Sequence, residues 1–188
     1  MRKHDHESLV NEHKAEAIDA RLSKPAKPSL FSDAVLGGID GCVTTFAIVS
    51  GTVGAGFSAS VALVLGVANL LADGFSMAIS NYEAIKAQQE FTESVRRSEE
   101  YHIDNIPAGE REEVKQIFQR KGFSGEVLDK IVDTITSDRG LWIDTMLMEE
   151  HGLIQDNLNP FKSAITTFIA FLLAGAAPLK VRTHDRDS

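Results

Sequence analysis

From residue 34 to residue 82 the chain carries two carboxylates, Asp40 and Asp73, and no basic residue. A run that apolar has few structural outlets. Inside lipid every backbone N–H and C=O must be paired internally, which leaves helices and closed barrels. A helix needs about 20 mainly apolar residues to cross the hydrocarbon. Residues 34–57 and 59–82 each meet that length, and the link Gly54-Ala55-Gly56-Phe57-Ser58 is short and uncharged. The two segments therefore read as a tight helical hairpin. Residues 163–179 carry no charge and lie between Lys162 and Lys180, which makes a third span. The mean hydropathy of -0.08 and the net charge of -8 resemble those of an ordinary acidic soluble domain only because these apolar blocks are averaged with polar ones.

The expected fold class is all-α: a helical membrane protein with three spanning helices and a helical insert between the second and third. The divisions are 1–32, a polar N-terminal segment; 33–82, the hairpin; 83–162, the insert; 163–179, the third span; and 180–188, a polar tail. Residues 1–28 read as a short surface helix ended by the Lys24–Pro28 stretch. Its histidines, His4, His6 and His13, read as part of a solvated tail. Residues 83–104 extend the second span, with no Gly or Pro to stop them. Pro107 suits a helix first turn before Glu110–Arg120. Lys121-Gly122 ends that helix, Ser124 caps the next, and Asp138 precedes a last one from about Leu141 to Glu150 that stops at Gly152. Val114, Ile117, Phe118, Leu128, Ile131, Val132, Ile135, Leu141 and Ile143 supply the insert's core.

Small residues recur every fourth position: Gly37 and Gly41, Gly51 and Ala55, Ala72, Ser76 and Ser80. Such spacing lets helix backbones approach closely in lipid. A hairpin puts the N-terminal segment and the insert on one side. Both are rich in Lys and Arg, so the positive-inside rule makes that side cytosolic. The acidic balance argues against nucleic acid as a partner. The lone Cys42 excludes an internal disulfide framework, and the polar opening of the chain has no apolar signal-peptide core.

A carboxylate in a spanning helix costs about 2.5–3.5 kcal/mol on insertion scales and usually marks an ion pathway. Asp40 lies early in its span and Asp73 deeper. Asn69, Asp73 and Met77 follow one another at one-turn spacing, presenting oxygen, carboxylate and thioether, a mixture suited to a borderline transition metal. In the insert, Glu99 and His102 stand at i, i+3, as do Glu110 and Glu113, while Met146 and Glu150 stand at i, i+4. Side chains at these spacings share a helix face. Any one pair is common on a solvated acidic face; three, on three helices of one insert, point to a metal site.

The segments Asp33-Ala-Val-Leu-Gly-Gly-Ile-Asp40-Gly41, Val43-Thr44-Thr45-Phe46, Ala68-Asn69-Leu-Leu-Ala-Asp73-Gly-Phe-Ser-Met77 and Leu141-Trp142-Ile143-Asp144 with Met146 and Glu150 resemble the vacuolar iron transporter family of Fe²⁺/Mn²⁺ transporters, over about residues 30–179. The resemblance implies a dimeric, proton-coupled antiporter of ferrous iron, with an ion path between the first two helices of two protomers. It implies Asp40 and Met77 as pathway residues. It implies Glu99, Glu110, Glu113, Met146 and Glu150 as ligands of a cytosolic metal-binding domain. His102 and Asn69 fall where some members carry glutamate. His102 keeps a metal-binding side chain, whereas Asn69 cannot carry a proton, which directs proton coupling to Asp73. The family has five spans and this sequence has three, so the tail is expected to follow a truncation, with the face around Gly175, Ala176 and Ala177 left for missing helices.

The expected function is export of Fe²⁺ and/or Mn²⁺ from the cytosol in exchange for protons, in a bacterial plasma membrane or a vacuolar membrane. No permanent cofactor and no enzymatic step is expected. Two rivals come from other classes: a ferritin-like iron-binding or oxidising membrane protein, which Glu99-x-x-His102 matches once, and a transport-incompetent partner subunit.

Overall fold

The computed structural model describes residues 6–23, 29–153 and 158–184, which are helical apart from short connections. The elements are α1 (His6–Glu12), α2 (Ala15–Leu22), α3 (Phe31–Gly54), α4 (Ala59–Asn105), α5 (Pro107–Arg120), α6 (Gly125–Ser137), α7 (Arg139–Glu149) and α8 (Pro160–His184). The all-α expectation holds, and among the described residues three helices, α3, α4 and α8, are long and apolar enough to cross a membrane. The N-terminal segment holds two short helices instead of one. His4 and the side chain of His6 lie outside the described residues, and the His13 ring bonds to the Leu9 carbonyl at 2.7 Å.

At about 1.5 Å per residue, the 47 residues of α4 run for about 70 Å. The hydrocarbon is about 30 Å thick, so one rigid rod joins the second span to the insert. Nothing in residues 83–104 breaks it, as the sequence indicated.

The three spans pack through α8. A Cβ on Gly37 would collide with the Thr167 carbonyl, and one on Gly41 with the Phe171 carbonyl. Backbone therefore lies against backbone along the α3–α8 seam. On α4 the buried positions in the span are Ala62, Gly66, Leu70, Gly74 and Ala78, one per turn. Gly66 receives Leu179, and Gly74 receives Phe168 and Phe171. Phe171, 0% exposed, anchors a cluster with Leu70 and Leu179, joined by Val49, Met77, Leu172 and Ala176. At one end Asn81 Nδ2 donates to Asp33 Oδ1 at 3.0 Å and to Thr167 Oγ1 at 2.8 Å, tying all three helices together.

This arrangement corrects three expectations. Gly51 has nothing within 4 Å of a built Cβ, so its pair with Ala55 makes no close approach. Ala72, Ser76 and Ser80 are exposed, because α4 turns its Gly66–Gly74 face to α8 instead. The Gly175 position is not left open: a Cβ there would meet Leu70 and, at 2.7 Å, the Gly41 carbonyl. Helix α8 also runs past the expected boundary at residue 179, to His184.

The insert buries Ile103, Val114, Leu128, Val132, Ile135, Trp142, Ile143, Met146 and Leu147, with Ile117, Phe118 and Ile131 packed at the edge. Leu141, expected in the core, is exposed: α7 turns Trp142 inward and leaves Leu141 on the outside. Asp138 caps α7 through a bond from the Leu141 N–H at 3.0 Å. Ser124 holds the N-cap position of α6 without a side-chain capping bond. Salt bridges Arg96–Asp144, Arg139–Asp104 and Arg111–Asp133 tie α4 to α7 and α5 to α6 across the surface.

Candidate metal centre

Three elements build the centre. Near its end, α4 supplies Glu99 and His102; the first turn of α5 supplies Glu110 and then Glu113; the end of α7 supplies Glu150. Pro107 matters here. It starts α5 immediately after α4 stops at Asn105, so the chain folds back and Glu110 faces the last turns of α4.

Glu99 is 3% exposed and Glu110 is 5% exposed. Each keeps one carboxylate oxygen, Oε2, buried with no hydrogen-bond partner. Burying a carboxylate without full compensation is costly, so two such oxygens together call for a proton or a cation. Ligand atoms of Glu99, His102 and Glu110 lie within 4.8 Å of one another. His102 Nδ1 stands 3.5 Å from Glu110 Oε1, and the His102 ring is 46% exposed, at the mouth of the group.

The electrostatics agree. The Glu110 carboxyl is pushed up to about 7, first by burial and then by the negative charges of Glu113 and Glu99, with Glu150 adding to them and His102 opposing. Glu150 is also raised, by burial first and then by Glu113. Glu113 is itself exposed. It acts on both neighbours through its charge, at the rim. Met146 is 0% exposed, packed in the insert's core one turn before Glu150.

Five of the six insert residues singled out in the sequence thus lie on α4, α5 and α7, and the sixth, Glu150, caps the end of α7. One neighbour escaped that reading. His151 Nε2 stands 3.1 Å from Glu99 Oε1 and 3.7 Å from Glu150 Oε2, and Glu99, Glu150 and His151 form a second group with ligand atoms within 4.8 Å. His151 follows α7 and has no helical-spacing partner, so periodicity could not find it. The available signal was a histidine next to an acidic pair, just before the helix-ending Gly152.

The span residues are placed less compactly. Asp40 and Asn69 are half-buried and Asp73 is exposed. Met77 packs beside the Phe171 cluster. Asn69, Asp73 and Met77 each precede a buried position, Leu70, Gly74 and Ala78, and so lie about 100° round α4 from the face that meets α8. Asp40 bears the same relation to Gly41 on α3. Asn69 Nδ2 donates to Thr44 Oγ1 at 3.4 Å, and Thr44 Oγ1 donates to the Asp40 carbonyl at 2.8 Å. Polar groups of α3 and α4 therefore connect beside Asp40.

Comparison with known proteins places the chain in a family. Residues 31–183 match the model of the VIT family. A vacuolar iron transporter of Toxoplasma gondii is 38% identical over 148 residues, 77% of this chain and 49% of that protein. One of Centaurea cyanus is 31% identical over 173 residues, 91% of this chain and 67% of that protein. Vacuolar iron transporter 1 of Arabidopsis thaliana is 30% identical over 148 residues, 78% of this chain and 59% of that protein. The chain spans about half the length of the first of these relatives. With the match covering most of its residues and all three spans, the chain belongs to the VIT family.

Proposed function

We propose that the protein binds Fe²⁺ or Mn²⁺ at the insert and passes it through the spans out of the cytosol, in exchange for protons. The observation that carries this reading is the pair of buried carboxylates, Glu99 and Glu110, each with an unpartnered oxygen and converging on His102 at the end of the rod that forms the second span. Carboxylate with imidazole suits Fe²⁺ and Mn²⁺. The names of the relatives support iron as cargo.

Proton exchange has a physical basis. Metal binding needs deprotonated ligands, so protons and metal compete for the same oxygens. Glu110, raised to about 7, makes that competition effective near neutral pH. In the spans, Asp40, Asn69, Asp73 and Met77 form the path, with Asp73 the candidate proton carrier. Asp73 is exposed on a single chain, and an ionised carboxylate facing lipid is costly. A second copy covering that face of α4 relieves the cost and encloses the path, which supports a homodimer. The Lys and Arg content of the N-terminal segment and the insert supports a cytosolic side for both.

The test of the binding step is calorimetry on the full chain in detergent under anaerobic conditions. Glu99→Gln and Glu110→Gln should each weaken Mn²⁺ and Fe²⁺ binding at least tenfold. Unchanged affinity in both variants would reject the site. Oxygen consumption on addition of Fe²⁺ would favour the ferritin-like alternative.

A further inference from the structure

Of the Glu99–Glu150–His151 group, only His151, which lies beyond α7, is outside the ligands that the family resemblance implies. Helix α7 ends at Glu149, and Gly152 takes a positive φ of 65° that turns the chain. The His151 N–H bonds to the Met146 carbonyl at 3.4 Å and the Leu153 N–H to the Leu147 carbonyl at 2.9 Å. These bonds close the helix end and hold the His151 ring against α4. There Nε2 meets Glu99 Oε1 at 3.1 Å, with Glu150 Oε2 at 3.7 Å.

A structural hydrogen bond to Glu99 accounts for only one of that carboxylate's oxygens. The other, Oε2, stays buried without a partner. Glu99 is common to both three-residue groups, with His102 on one side and His151 on the other. The centre therefore offers two imidazoles flanking one buried carboxylate. Imidazole donors favour the later first-row divalent ions, whereas carboxylate alone suits Mn²⁺.

We propose that His151 is a metal ligand, completing with Glu99 and Glu150 a site for an imidazole-preferring divalent cation of the Zn²⁺ class, bound more tightly than Mn²⁺. This rests on the metal-binding reading of the insert given above. The test is titration of the full chain in detergent with Zn²⁺ and, separately, with Mn²⁺, for the unaltered protein, His151→Leu and His151→Asn. Asparagine keeps a hydrogen bond to Glu99 within reach if leucine impairs folding, and metal-free thermal unfolding reports that directly. Both variants should lose at least tenfold in Zn²⁺ affinity and less than threefold in Mn²⁺ affinity. Unchanged Zn²⁺ affinity overturns the proposal. Equal losses for the two ions also overturn it, because His151 would then act only by supporting Glu99. Glu110→Gln, measured alongside, separates the two claims: loss of Mn²⁺ binding there with no selective effect at His151 rejects only the second ligand group, whereas no loss at Glu110 rejects the wider reading.

Discussion

In the proposed metal centre, Glu110 is the residue on which the chemistry turns. Its carboxyl is raised from the usual carboxylate range to about 7, so the folded protein holds that proton more tightly than the unfolded chain does. The stability linked to the proton is complete below the unfolded value and is lost as pH rises through about 7. Two outcomes follow. The metal-free protein should melt at a lower temperature at pH 8 than at pH 6, and Glu110→Gln should flatten that difference, as read by thermal unfolding in detergent at the two pH values. Metal affinity should run the other way, rising with pH through about 7 with release of protons, as read by calorimetry in buffers of different ionisation enthalpy. Within the cluster, Glu110→Ala with Glu113→Ala should lower the affinity at least tenfold, about 1.4 kcal/mol. Most of that loss should appear in Glu110→Ala alone, because Glu110 is buried and Glu113 sits exposed at the rim. Equal losses from the two single variants would contradict this division of roles.

At the scale of elements, the seam between α3 and α8 is made by absent side chains. Gly37→Ala or Gly41→Ala would drive a methyl into the Thr167 or Phe171 carbonyl. Overpacking of this kind costs about 1–3 kcal/mol, which outweighs the roughly 1 kcal/mol that alanine gains over glycine in a helix. Gly51→Ala meets nothing and should be neutral or stabilising. Melting curves of the three variants in detergent check this, and a Gly41→Ala protein as stable as Gly51→Ala would refute the seam. Much of this scale was legible in the sequence. The uninterrupted run from 59 to 104, Pro107 and the helix stop near Gly152 all reappear as α4, the start of α5 and the end of α7. Which small residues do the packing was not legible. Gly37, Gly51, Ala72 and Gly74 look alike by spacing, and only the position of α8 selects Gly37 and Gly74. His151 was missed for a related reason: a turn positions it, and helical periodicity is silent about turns.

At the scale of the whole molecule, the long rod of α4 joins the second span to the candidate metal centre. It carries Asn69, Asp73 and Met77 in its span and Glu99 and His102 near its far end. On the proposed function, binding and passage both draw on α4 but use separate residues, and substitution should separate them. Asp40→Asn should leave metal affinity at the insert unchanged, because Asp40 lies in α3, which is not among the helices that build the centre. It should nevertheless abolish passage, because it removes the carboxylate charge of Asp40 while leaving the Asn69–Thr44 contact to the Asp40 backbone carbonyl in place. The most direct measurement is Fe²⁺ and Mn²⁺ flux into proteoliposomes whose lumen is more acidic than the bath, with the unaltered protein and with Asp40→Asn side by side. The account predicts metal accumulation that follows the pH gradient, with protons leaving the lumen, and no accumulation for Asp40→Asn at equal metal affinity. Metal binding without gradient-dependent flux in the unaltered protein, or equal flux in the variant, would contradict it.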